Sequence, residues 1–270
     1  MNKLLALGLS ALIATTASLT VRADDETATN LLTEAKGLYE KRAALGDEVD
    51  TALTKLDAAL DAADSDEIKF DVNVMKSRCF YWKGAHKTDE ESRVTLYWNG
   101  VEAAQEAANY GEWAEAGYYE AINLGRWAEA YGIVRAIVFK KAHRKMMNAL
   151  DRAIAAKTRD GAAGETLDGF GPHRAYGRLW HKLPGIYGGS RTKALEDLEA
   201  SYKGAPNYVL NVAYYADALF DGGSSEQKAQ AKSMLDELLK QDPQTFNTSR
   251  TPETIDEFKI AADTRQSMGN

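Results

Sequence analysis

A single cysteine, Cys79, stands in a chain of 270 residues, so no disulfide can close within it. It lies in MKSRCFYWKG, among apolar and aromatic residues with no histidine close by. That setting reads as a buried small hydrophobe rather than a nucleophile. Proline is scarce too: there are five, the first at Pro172, so nothing before it forces a helix to stop. Alternating Val, Ile and Thr runs are nearly missing, which argues against sheet. Beyond the first 23 residues no stretch nears the roughly 18 to 20 apolar residues of a bilayer span. The four histidines form no His-Glu-x-x-His and no cluster with metal spacing, and Cys-x-x-Cys and Gly-x-Ser-x-Gly do not occur. His173 and His181 are eight apart with no carboxylate between them. Gly188-Gly189-Ser190 is too short for a phosphate loop and lacks its lysine. No catalytic residue, metal ligand or cofactor is expected, and the chain does not read as an enzyme.

The N-terminus is what a leader looks like. Lys3 supplies a positive start, Leu4 to Val21 is apolar or small, and Val21-Arg22-Ala23 fits a signal-peptidase site. Asp24, Asp25 and Glu26 follow at once. Residues 1–23 are expected to be a signal peptide cleaved after Ala23. No cysteine follows the apolar run, so no lipidation is expected. Cleavage would remove Lys3 and Arg22, taking the net charge from −7 to −9. That balance disfavours nucleic acid and anionic membrane surfaces as partners. The short leader points to a bacterial periplasmic or secreted protein, with no membrane insertion once it is removed.

Apolar residues recur at i, i+3, i+4 and i+7, so the chain reads as all-α. Helix hairpins are expected at Thr29–Ala44 with Val49–Ala63, and at Ile68–Ala85 with Asp89–Ala108. A third pairs Trp113–Ala130 with one long helix, Ile133–Ala156. Gly117, Ala121, Gly125 and Ala128 there make a small-residue face that lets a neighbour approach closely. Lys140, Lys141, His143, Arg144 and Lys145 read as a solvated face balanced by neighbouring acids. Residues 157 to 171 hold four glycines and no helical stripe, and are expected to be an irregular loop. Pro172 then suits the first turn of a helix, paired with Ala194–Lys203 across the insertion PGIYGGS. Val209–Phe220 with Ser225–Gln241, and a final helix over Pro252–Gln266, complete the chain.

Two segments share one signature. Ala194, Ser201 and Pro206 are spaced by seven and five, and Ala231, Leu238 and Pro243 repeat those spacings with the prolines 37 apart. This is the second-helix pattern of a tetratricopeptide-type hairpin, and a period in the thirties predicts an α-solenoid. The expected architecture is a single repeat domain, 24–270, of about five hairpins with a C-terminal capping helix.

In such a stack first helices line the concave side. Here they are rich in rings: Phe80, Tyr81 and Trp82; Tyr118, Tyr119 and Trp127; Tyr176 and Trp180; Tyr214 and Tyr215. Consecutive residues are about 100° apart on a helix, so adjacent rings cannot all face the seam. Half or more are expected in the core and the remainder in a binding groove. Tyr81, Trp82, Tyr118, Tyr119, Trp127 and Trp180 are the groove candidates. Asn123 stands one turn beyond Tyr119, and Tyr187 sits in the insertion.

The stretch FGPHRAYGRLWHKLPGIYGGSRTKALEDLEASYKGAPNY resembles the TRAP transporter T-component (TatT) family of periplasmic tetratricopeptide-like proteins. The matching positions are Gly171-Pro172, Arg174, Tyr176-Gly177, Pro184, Gly188-Gly189, Ala194 and Tyr202. Upstream, YYEAINLGRWAEAYG and CFYWKG look like that family's first helices. The chain departs from the family in having Gly-Gly-Ser for Gly-Gly-Asp and in lacking the lipoprotein cysteine. The resemblance implies a helical bundle with a hydrophobic cavity and association with the transporter's solute-binding component. It also makes Arg174 a candidate, either for contacting a ligand or for tying down the preceding loop through carbonyl and carboxylate bonds.

The expected function is thus a non-catalytic scaffold that binds a partner protein and can hold a small apolar ligand. A homo-oligomer is compatible with this. The alternatives are a stand-alone pocket protein for a small molecule and a helical carbohydrate-active or hydrolytic enzyme with two carboxylates in an aromatic cleft.

Overall fold

The computed structural model describes residues 24–43 and 46–269. The expected leader lies outside them. All regular structure is helical, as expected: among the described residues no strand forms, and one isolated bridge joins Lys157 to Ala163. No described helix is long and apolar enough to cross a membrane. The chain folds as two compact units, one ending at Glu112 and one beginning at Trp113.

The first unit holds two hairpins. Helix α1 covers 24–40, α2 Glu48–Ala62, α3 Asp66–Ala85 and α4 Glu90–Ala107. The expected start of α1 at Thr29 falls five residues late. The acidic cluster Asp24 to Glu26 suits a helix N-terminus, and Asp25 accepts hydrogen bonds from the amides of Asp64 (2.9 Å) and Ser65 (3.1 Å). Ser65 and Asp89 cap α3 and α4 by accepting from Ile68 and Ser92. Buried stripes on the first three helices meet in one core: Leu32, Ala35 and Tyr39; Ala52, Leu56 and Ala59; Val72, Met75, Cys79 and Trp82. Burial pushes the Cys79 thiol up to about 12, which keeps it protonated and inert.

The second unit holds α5 (Ala114–Tyr131), α6 (Ile133–Lys140), α7 (Ala142–Ala155), α8 (Leu167–Lys182) and α9 (Arg191–Gly204). They are followed by α10 (Val209–Phe220), α11 (Ser225–Leu238), the short α12 (Pro243–Phe246) and α13 (Thr251–Ser267). Helices α5 and α7, α8 and α9, and α10 and α11 pair as hairpins, and each pair packs on the next in chain order. Helix α13 closes the run against α10 and α11 with Phe258, Ala261 and Met268 buried. The signature positions Ala194, Ser201, Ala231 and Leu238 are all buried scaffold.

Two expectations need correction. The long helix over Ile133–Ala156 is broken, because Lys141 adopts a left-handed conformation (φ 52°) and separates α6 from α7. The segment 157–171 is also less irregular than its glycines imply. Glu115 accepts from the Arg159 amide (2.9 Å), and the Arg159 guanidinium lies 4.3 Å over the Trp113 ring. A single 3-10 turn follows at Gly164–Thr166. Then Asp168, Gly169 and Phe170 take three consecutive left-handed conformations (φ 50°, 60° and 60°) before α8 turns right-handed.

Candidate functional site

That left-handed turn is expensive. Each non-glycine residue there costs about 1–2 kcal/mol, so something must hold Asp168 and Phe170 in place. Gly169 is required twice over, by its φ and because a Cβ would run into the Tyr208 ring. The holder is Arg174, one turn beyond Phe170 on α8 and only 6% exposed. Its Nη1 donates to the carbonyls of Asp168 (3.1 Å) and Gly169 (3.4 Å) and to Asn211 Oδ1 (2.9 Å). Its Nη2 donates to Asp168 Oδ2 (2.7 Å) and to the Tyr118 hydroxyl (2.9 Å). Tyr118 in turn donates to Asp168 (2.6 Å). Asn211 completes the clasp by donating to the carbonyls of Gly169, Ser201 and Ala205.

A second arginine extends the cluster. Arg250 donates from Nη1 to both Glu257 oxygens at 2.9 Å and stands 3.8 Å from Asp168. The Tyr208 ring lies near both guanidiniums, 5.7 Å from Arg174 and 4.6 Å from Arg250. Burial opposes charge on Arg174, and its neighbours Tyr118 and Asp168 outweigh it, so the guanidinium stays firmly protonated. Burial pushes the Glu257 carboxyl up to about 7 against the pull of Arg250 and Arg174. Burial likewise drives the Tyr118 phenol up, keeping it a neutral donor. Two cations face two carboxylates and bond internally, which makes this cluster a structural clasp.

The outer side of α8 differs. Trp180 is half-buried, stacked on Tyr176 at 5.7 Å, and its indole N–H donates to Asp197 on α9 (3.2 Å). Lys193 approaches the same ring (4.8 Å), and the Tyr176 hydroxyl donates to Asp151 (2.5 Å). His173 shares Asp197, Nδ1 to Oδ1 at 2.9 Å, with Glu165 3.6 Å from its other nitrogen. The Asp197 hydrogen bond raises the His173 pKa above the ordinary 6.5. Along the same helix Arg178 lies over the half-buried Tyr214 (4.4 Å) and pairs with Asp217 (2.7 Å). His181 is 3.2 Å from Asp221, and burial lowers its pKa. Both histidines therefore meet carboxylates after all, supplied by neighbouring helices.

Of the residues singled out in the sequence, Tyr118 and Arg174 meet directly in the clasp. Asn123 is buried and donates to the Tyr119 carbonyl within its own helix (3.0 Å). Tyr119 is half-buried against Tyr118 (5.2 Å), and Trp127 is buried and stacked on Tyr131 (4.7 Å). Trp180 stands on the α8 surface. Tyr187, half-buried, lies 6.0 Å from His143. Tyr81 and Trp82 belong to the first unit: Trp82 is buried, with the Arg42 guanidinium 4.5 Å over its ring, and Tyr81 is half-buried edge-on to Tyr97. Each adjacent run of rings is split in this way, one ring in the core and its neighbour half out. Asp168, Asn211, Arg250, Glu257 and Asp197 were not singled out in the sequence. Only Asp197 carried a usable signal, since a carboxylate on the second helix of a hairpin is placed to face a histidine on the first. Among the described residues no group of three or more His, Cys, Asp and Glu is placed to hold a metal ion. No protein-family model matches the chain, and no curated protein matches its sequence.

Proposed function

We propose that this protein is a non-catalytic helical-repeat scaffold of the periplasm that binds a partner protein through the outer face of α8. The observation that carries this reading is the stacked pair Tyr176 and Trp180, one turn apart on the same side of α8. Trp, Tyr and Arg are the residue types that dominate binding energy at protein interfaces. Here the half-buried Trp180 rests on the buried Tyr176, and Asp197 and Asp151 fix the two rings before any partner arrives. Pre-organised side chains lose little entropy on binding. The family resemblance makes a TRAP solute-binding component the partner to test first. A catalytic role for His173 finds no support, because its two nitrogens both face carboxylates, an arrangement that favours a held cation over a free base.

Affinity capture from periplasmic extract tests this. The wild type should retain a defined protein. Trp180→Ala should weaken that capture by the roughly 2 kcal/mol or more of a hot spot, with helical content unchanged by circular dichroism. No captured protein, together with a small molecule bound in native mass spectrometry, would assign the chain to the stand-alone pocket proteins instead.

A further inference from the structure

Five large apolar side chains are exposed among the described residues, and four belong to one helix. Val134 (68%), Val138 (43%), Phe139 (76%) and Ile133 (38%) are on α6, and Ile186 (86%) tips the turn at Gly185–Tyr187. At 100° per residue, Val134, Val138 and Phe139 fall on the side of α6 opposite its two buried residues, Ala136 and Ile137. The neighbouring Tyr187 ring is 6.0 Å from His143 near the start of α7, which sets Ile186 by the same end of α7.

The charge of the segment that carries this face is of one sign. Residues 130–150 contain Arg135, Lys140, Lys141, Arg144 and Lys145 and no carboxylate. All five are exposed, and none forms an ion pair among the described residues. The expected balancing by neighbouring acids does not occur, because the flanking Glu129 and Asp151 are engaged by Arg126 and Tyr176. The net charge of −7 argues against an anionic target for the chain as a whole. Screening over about 8–10 Å makes the local field the deciding one.

We propose that α6 and the Ile186 turn form a peripheral membrane-docking face that inserts Val134, Val138, Phe139 and Ile186 into an anionic lipid surface, with the exposed cations of the same segment drawn to the headgroups. Exposed apolar side chains ringed by Lys and Arg are what interfacial binding requires. An eight-residue helix about 12 Å long and a three-residue turn give less than the roughly 800 Å² per partner of a stable protein interface. A few inserted side chains and several cations are enough for reversible membrane attachment.

Co-sedimentation of the full chain with vesicles tests this, using phosphatidylglycerol mixed with phosphatidylcholine and phosphatidylcholine alone. The wild type should be retained on the first and not the second, and salt should weaken retention. K140Q/R144Q/K145Q should lower the affinity roughly a hundredfold, at about fivefold per cation. V134S/F139S should abolish retention. These positions are exposed, so circular dichroism should be unchanged, and Trp180→Ala should bind vesicles like the wild type. Absence of retention on phosphatidylglycerol, equal retention on both vesicles, or full retention of V134S/F139S would each overturn the proposal. So would a concentration-dependent dimer that F139S dissociates and vesicles do not compete for, which would give the face to a second copy of the chain.

Discussion

Lysine would keep the charge of Arg174 but offers one nitrogen where the guanidinium uses two, pointed at five acceptors. Arg174→Lys should leave part of the clasp unpaired and cost about 1–3 kcal/mol. Arg174→Ala takes from Asp168 its nearest cation and from the turn its carbonyl donor, and should cost about 3–5 kcal/mol. Urea unfolding midpoints measure both, and a neutral Arg174→Lys would refute the clasp. His173 gives a pH signature. Its folded pKa is raised by Asp197, so the pair's contribution is full below about pH 6.5 and is lost as pH rises through the folded value. His181 works the other way: burial depresses its pKa, so its contribution is present above 6.5 and is lost as pH falls. In Asp197→Asn, NMR titration should find His173 shifted down toward 6.5 and His181 unmoved.

Among the helices, α5 and α7 approach backbone to backbone. A Cβ on Gly117 would stand 2.5 Å from the Ala149 carbonyl and 3.0 Å from the Ala153 nitrogen, both backbone atoms that cannot swing aside. Gly117→Ala should therefore cost about 1–3 kcal/mol by overpacking, read as a lowered melting temperature. Gly125→Ala meets only the flexible end of Met146 at 3.4 Å and should cost less. The small-residue face that predicts this approach is legible in sequence because it follows the helical period, as are the five hairpins and the cap. The break at Lys141 is not, since a lysine carries no signal for a left-handed backbone. Nor is the clasp around Arg174: Tyr118, Asn211 and Arg250 come from three other elements at separations of 37 to 76 residues, set by packing alone. The α8 surface lies between these cases. Its rings are legible, while the carboxylates that prop them belong to neighbouring helices.

On the scale of the whole chain, each unit buries its own core. In the second, Leu198, Val212, Ala216, Leu235 and Phe258 pack together. Residues 113–270 expressed alone should give a helical spectrum and a cooperative urea transition, and a gradual, non-cooperative loss would show that they need the first unit. Cys79 supplies the matching probe for residues 24–112. Fully buried and protonated, it should resist a thiol reagent in the native protein and react only as that unit opens. Labelling at native conditions as fast as that of a free thiol would place it outside the core.

The left-handed turn at Asp168–Phe170 also constrains the order of assembly. Nothing local favours three such residues in succession, so the turn has no stable form until Arg174 and Asn211 are both in position. Helices α8 and α10 must dock first, and the segment joining α7 to α8 closes over them last. In hydrogen exchange the amides of 168–170 should open together with α8 and α10, and in Arg174→Ala they should open well ahead of both helices.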